Sequence, residues 1–222
     1  TIRHVVLLGP SHRVPMRGIA VPSVDAFATP LGEVPVDDAH RQRLRELGLV
    51  GISDAPHAAE HSLEVHLPFL QKRLGDFKLI PLVVGRAAAE EVAQVLDHLW
   101  GGDETLVVVS SDLSHYLSYA QAQATDRDTA RLILNRQPTL DPHQACGAAP
   151  ANGLLVVAAR RGLGPRLLDL RNSGDTAGDR SRVVGYGSFG FYPDTAAAGD
   201  TPGDVLIPIA RSAIGGMFGL EF

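Results

Sequence analysis

Cysteine occurs once in this chain of 222 residues, at position 146, so no internal disulfide framework is possible. Lysine is almost as scarce. Lys72 and Lys78 are the two present, and neither follows a glycine, which excludes a Walker-type phosphate loop. There is no basic block, and 20 basic against 25 acidic residues leave a formal charge of −5. Nucleic acid and anionic membrane are therefore not expected as partners. No apolar run approaches the ~18 uncharged residues of a spanning helix, so no membrane segment is expected. What the chain does have is 45% hydrophobic and 20% charged residues, enough to bury a core and too apolar for disorder over its whole length. A lone thiol suits a reducing compartment, and with no signal peptide in view the expected location is cytoplasmic.

Five short apolar runs stand out, at 5–8, 79–84, 106–109, 167–170 and 183–191. Several are continuous rather than alternating, as in strands covered on both faces. Helix-like stretches lie between them at 37–47, 87–99, 118–135 and 147–161, the last with Gly162 placed to end it. Strand and helix alternate, so an α/β architecture is expected. Residues 193–204 (PDTAAAGDTPGD) read as a linker, and 205–218 turn apolar again with helical spacing. That last segment reads either as the opening of a further domain or as a helix docking back.

Nine histidines are many for this length. Residues 5–12 (VVLLGPSH) form a buried strand that stops at Gly-Pro and delivers His12. Residues 106–115 (LVVVSSDLSH) repeat the design and deliver His115. In open α/β sheets ligands collect at the carboxyl ends of strands, so both histidines are expected at such a rim. Between 57 and 66 lie His57, Glu60, His61, Glu64 and His66. Leu63, Leu67, Leu70 and Leu74 mark the buried face of a helix expected to start near His61 and to kink or tighten at Pro68. Cys146 precedes an apolar helix, whose dipole is expected to lower the thiol pKa.

Three chemistries compete for these residues. Imidazoles with one thiolate suit a mononuclear site for iron(II), copper or zinc, with positions open to water, dioxygen or substrate. His57-Ala58-Ala59-Glu60-His61 is a literal H-x-x-E-H, which on a helix would make a zinc peptidase. Cys146 with a histidine base would make a thiol hydrolase. Spacing alone leaves all three open.

Larger blocks are more specific. Gly9-Pro10-Ser11-His12, Thr29-Pro30-Leu31-Gly32 with Val36-Asp37, and Glu60-His61-Ser62-Leu63-Glu64 with Leu67-Pro68-Phe69-Leu70 follow one another in order. Then come Ile80-Pro81-Leu82-Val83-Val84-Gly85, Ser110-Ser111-Asp112-Leu113-Ser114-His115-Tyr116, Cys146-Gly147, and Asn172-Ser173-Gly174-Asp175 with Gly178-Asp179. Over roughly 2–192 the sequence resembles the Memo family, called AmmeMemoRadiSam system protein B in bacteria and archaea. The resemblance implies a mixed central β-sheet flanked by helices, like that of class III extradiol dioxygenases. It implies a metal pocket with His12, His61 and Cys146 as ligands, loaded with iron or copper, zinc being possible. It implies His115 as an acid–base group and Asp112 as a pocket carboxylate. A cysteine in place of the dioxygenases' carboxylate ligand makes the site softer and argues against ring cleavage.

The expected layout is a metal-binding domain over 1–193, a linker over 194–203, and a helix over 204–222 that resembles the start of an AMMECR-type domain. The family's upstream strand, ending in a P-H-A-G-Y-like block, is not in this sequence. The expected role is oxidoreductase-like metal chemistry on a small molecule, with radical-SAM and AMMECR-type partner proteins. The alternative is a non-enzymatic protein that holds a peptide in the same pocket.

Overall fold

The computed structural model describes residues 1–176 and 178–194. The expected helix over 204–222 and, Asp194 apart, the expected linker lie outside the described residues. The described residues form two compact units, one over Thr1–Ser110 and one from Ser111 onward.

In the first unit the strands and helices follow as β1 (His4–Pro10), β2 (Ile19–Val21), β3 (Ala26–Thr29), β4 (Gly32–Pro35), α1 (Asp38–Glu46), β5 (Gly51–Ile52), α2 (Ala55–Ala58), α3 (Leu67–Leu74), β6 (Lys78–Val84), α4 (Ala89–Leu99) and β7 (Thr105–Val109). Five strands form one sheet in the order β5-β2-β6-β1-β7. β1 is parallel to β6 and β7, and β2 is antiparallel to β6, so the sheet is mixed as expected. β3 and β4 pair separately as an antiparallel hairpin. Val5, Val6, Leu7 and Leu8 are all 0% exposed. Successive strand residues point to opposite faces, so both faces of β1 are covered, which is why its sequence is a continuous apolar run. On one face Val5, Leu7, Leu79 and Val83 pack with Leu63, Leu67 and Leu70.

The second unit contains β8 (His115–Leu117), α5 (Tyr119–Leu134), α6 (Ala148–Arg160), β9 (Leu163–Asn172) and β10 (Val183–Pro193). Its sheet is antiparallel, in the order β8-β10-β9. Ile133 of α5, Leu140, and Ala148 and Leu155 of α6 form its buried cluster, against Phe189 and Phe191 of β10. The five apolar runs all lie in strands and the four helix-like stretches are all helices, within a residue or two at each end except for β9, which starts four residues before its run. The two-residue β5 and the three-residue β2 and β8 are too short to carry a hydrophobic period, and no pattern in the sequence marks them.

Two local expectations are corrected. The segment after His61 does not start a helix there: a 3-10 turn covers Glu64–His66, and α3 begins at Leu67. Pro68 lies in the first turn of α3 and kinks nothing, because its missing N–H falls where a helix has no internal acceptor to offer. Among the described residues, no helix is long and apolar enough to cross a membrane.

Candidate metal centre

In the first unit the site is built on the end of β1. The strand carries the chain through Pro10, and His12 follows with its side chain 47% exposed. Across from it stands Glu60, whose side chain is 3% exposed. Glu60 Oε2 accepts the His12 backbone N–H at 2.6 Å, and Oε1 lies 2.9 Å from His12 Nδ1. The same Oε1 accepts the backbone N–H groups of His61 (3.0 Å) and Ser62 (3.1 Å). One buried carboxylate thus ties His12 and His61 into one loop cluster. Burial alone would raise the Glu60 pKa; hydrogen bonds from His12 and Ser62 and the charge of His12 outweigh it and hold the carboxyl at about 2.

His61 has a carboxylate of its own. Its Nδ1 is 2.8 Å from Glu64 Oε1, and its side chain is 64% exposed. Against an ionised carboxylate the facing ring nitrogen carries the proton, which leaves Nε2 with a lone pair directed away. Both His12 and His61 therefore present Nε2 as a donor. Gly9 makes the approach possible. Ser62 Oγ donates to the Pro10 carbonyl at 2.9 Å, and a Cβ on Gly9 would sit 2.7 Å from that Oγ.

In the second unit the ligand atoms of Asp112, His115 and Cys146 lie within 4.8 Å of one another. Asp112 and Cys146 are locked reciprocally: Asp112 N–H donates to Cys146 Sγ at 3.2 Å, and Cys146 N–H donates to the Asp112 carbonyl at 3.2 Å. Ser111 Oγ accepts the Gly147 N–H at 2.9 Å. His115 Nε2 stands 3.7 Å from Asp112 Oδ2. The turn carrying these residues is pinned from behind. Leu113 N–H donates to the Gly185 carbonyl and Gly185 N–H donates to the Ser114 carbonyl, each at 2.8 Å, and the Ser114 N–H is held by buried Asp126 at 3.0 Å. Gly185 lies so close to the Asp126 carboxylate that a side chain there would collide with it.

The expectation of a lowered thiol pKa is corrected. Cys146 does precede α6, with Gly147 as the cap. Burial pushes the thiol above its usual value, and the N–H groups of Asp112 and Gly147 only partly offset that. Desolvation of a charge outweighs one helix end.

The family profile described as Memo-like protein matches residues 1–190. A MEMO1 family protein of Aquifex aeolicus is 33% identical over 201 residues, covering 82% of this chain and 73% of that protein. One from Aeropyrum pernix is 36% identical over 196 residues, covering 82% and 70%. The chain belongs to the Memo family.

Of the Memo-type residues expected at a metal, the first unit joins His12 and His61 through Glu60, and the second unit joins Cys146, Asp112 and His115. His115 is the first residue of β8, directly after the segment 110–114 that follows β7. The H-x-x-E-H reading fails on geometry. α2 ends at Ala58, so its two histidines do not share a helix face. His57 turns its Nε2 toward the Ala20 carbonyl at 3.2 Å, and burial lowers its pKa. Glu60, the base that reading needs, is already engaged with His12.

Sequence reasoning placed Glu60 and Glu64 in the motif but missed their work. A signal was available: each is a carboxylate within three residues of His61. It also missed Tyr186 of β10, whose phenol is pushed up by burial and then by the Asp112 charge. A tyrosine inside an apolar strand gives no warning of a carboxylate beside it.

Proposed function

We propose that this Memo-family chain holds one redox-capable ion, iron or copper, with Cys146 as its sulfur ligand and His12 and His61 as its imidazole ligands, and that it performs oxidoreductase-like chemistry on a small molecule. The observation that supports this most is the carboxylate behind each imidazole, Glu60 on His12 Nδ1 and Glu64 on His61 Nδ1. Carboxylate–histidine pairs of this kind orient metal-binding rings and raise their basicity. The donor chemistry fits as well: two imidazoles and a thiol suit iron, copper or zinc and not magnesium or calcium.

A bound iron or copper ion supplies Lewis acidity and one-electron redox capacity. The chain's own residues do the rest. Glu60 fixes the His12 ring and the loop bearing His61. The Asp112 and Gly147 N–H groups favour the thiolate of Cys146 against the cost of its burial. His115, beside Asp112, is placed to take up or release a proton, and Asp112 orients it. Radical-SAM and AMMECR-type partners belong to the same proposal, on the resemblance alone.

Elemental analysis of anaerobically purified protein tests the reading. The wild-type chain is expected to carry iron or copper. Cys146→Ala, His12→Ala and His61→Ala are each expected to lose most of it, and His57→Ala to keep it. Full occupancy in Cys146→Ala would overturn the ligand set.

A further inference from the structure

His4 opens β1 and His12 follows its end, so roughly 20 Å of strand separates them. Around His4 is a second cluster. Asp37 is the N-cap of α1, with a side chain 3% exposed. Its Oδ1 accepts the His40 N–H at 3.3 Å. Its Oδ2 lies 2.8 Å from His4 Nδ1 and 3.1 Å from His40 Nδ1. The two rings meet edge to face with centroids 5.2 Å apart. The three ligand atoms lie within 4.8 Å of one another.

Capping explains Oδ1 and no more. Any Asp, Asn, Ser or Thr would cap α1, and none needs two imidazole nitrogens turned toward its other oxygen. Shared proton donation does not explain the arrangement either. His4 Nδ1 makes a hydrogen bond to Oδ2, while His40 Nδ1, at 3.1 Å from the same oxygen, pairs with it by charge without meeting hydrogen-bond geometry. Two ring nitrogens converging on one buried carboxylate oxygen, one of them outside hydrogen-bond geometry, is an arrangement that a shared cation would satisfy. Bonds of ~2.0–2.1 Å in a tetrahedron place donor atoms about 3.3 Å apart, close to the 2.8 and 3.1 Å from Asp37 to the two rings. All three donors sit on ordered elements: a strand's first residue, a helix cap and the first turn of that helix.

We propose that His4, Asp37 and His40 form a second metal site, for a borderline divalent cation of the zinc type, independent of His12 and His61 and without sulfur. Two imidazoles and one carboxylate select such ions over magnesium and calcium, and three protein ligands leave a fourth position for water. The site does not depend on the function proposed above.

The test is a zinc titration of the chelator-stripped full chain against a chromophoric competitor, in wild type, Cys146→Ala, His4→Ala, His40→Ala and the Cys146→Ala/His40→Ala double variant. Cys146→Ala is expected to retain one tight equivalent, which the double variant loses. His4→Ala is expected to lose the same equivalent, and His143→Ala, on an exposed turn, to keep it. Cobalt(II) in Cys146→Ala is expected to give visible bands without the sulfur charge-transfer band. Thermal unfolding checks that the His40→Ala chain is folded. Equal zinc stoichiometry with and without His40, or no zinc binding that survives Cys146→Ala, overturns the proposal. Failure of the Cys146 centre alone would instead show as a stoichiometry unchanged by Cys146→Ala but lowered by His40→Ala.

Discussion

Glu60 grips His12 at two points, Oε2 on the backbone N–H at 2.6 Å and Oε1 on the ring Nδ1 at 2.9 Å. The residues are 48 apart in sequence. The grip sets both where His12 stands and which ring nitrogen is left for a cation. Glu60→Gln keeps the shape but can no longer accept at both oxygens. Its metal affinity is expected to fall about 10- to 100-fold, as for other carboxylates behind metal-binding histidines. Competition with a chelator measures it; unchanged affinity would show that the grip serves folding alone.

The same pair predicts a pH dependence. The Glu60 carboxyl titrates at about 2 in the folded chain against 4.5 ordinarily. A depressed acid contributes stability that is complete above its unfolded value and lost as pH falls through its folded one. In metal-free protein, the stability gap between wild type and Glu60→Gln is expected to be widest near neutrality. It should narrow from about pH 4.5 downward. Melting curves of both proteins down to about pH 3 check this window. A gap that widens on acidification would contradict the assignment.

Cys146 makes the opposite kind of prediction. Burial raises its pKa, so little thiolate is present at neutral pH in the metal-free chain. Alkylation by iodoacetamide is expected to be slower than for a free cysteine, with its inflection shifted to higher pH. A fast reaction at neutral pH would mean that the α6 dipole wins after all.

Gly185 has no room for a side chain because Asp126 packs against it. Gly185→Ala must push Asp126 off the Ser114 N–H and shift the turn bearing Asp112 and His115. Overpacking of this kind costs about 1–3 kcal/mol. A lower melting temperature is expected together with reduced metal content. Asp126→Asn, which can still accept from Ser114, is expected to keep the metal; loss of metal in both variants would point to Asp126 charge instead of position.

Much was legible in the sequence, for a physical reason. A run such as Val5-Val6-Leu7-Leu8, apolar at every position, can be satisfied only inside a sheet covered on both faces, and Val92, Ala93, Val95, Leu96 and Leu99 fall on one side of a helix by spacing alone. Such patterns are local, so the α/β class and the helix positions follow from the order of residues. The ordered motif blocks likewise name the family before any coordinate is known. Charge and proton placement are not local. Whether Glu60 acts as a base beside His57 or as a clamp on His12 depends on a contact across 48 residues. Whether Cys146 is acidified or suppressed depends on how much water its thiol loses. Whether His4 meets Asp37, 33 residues on, depends on β1 lying where α1 begins. Those choices are made by packing, because desolvation and hydrogen bonding between distant segments exist only once the chain has folded.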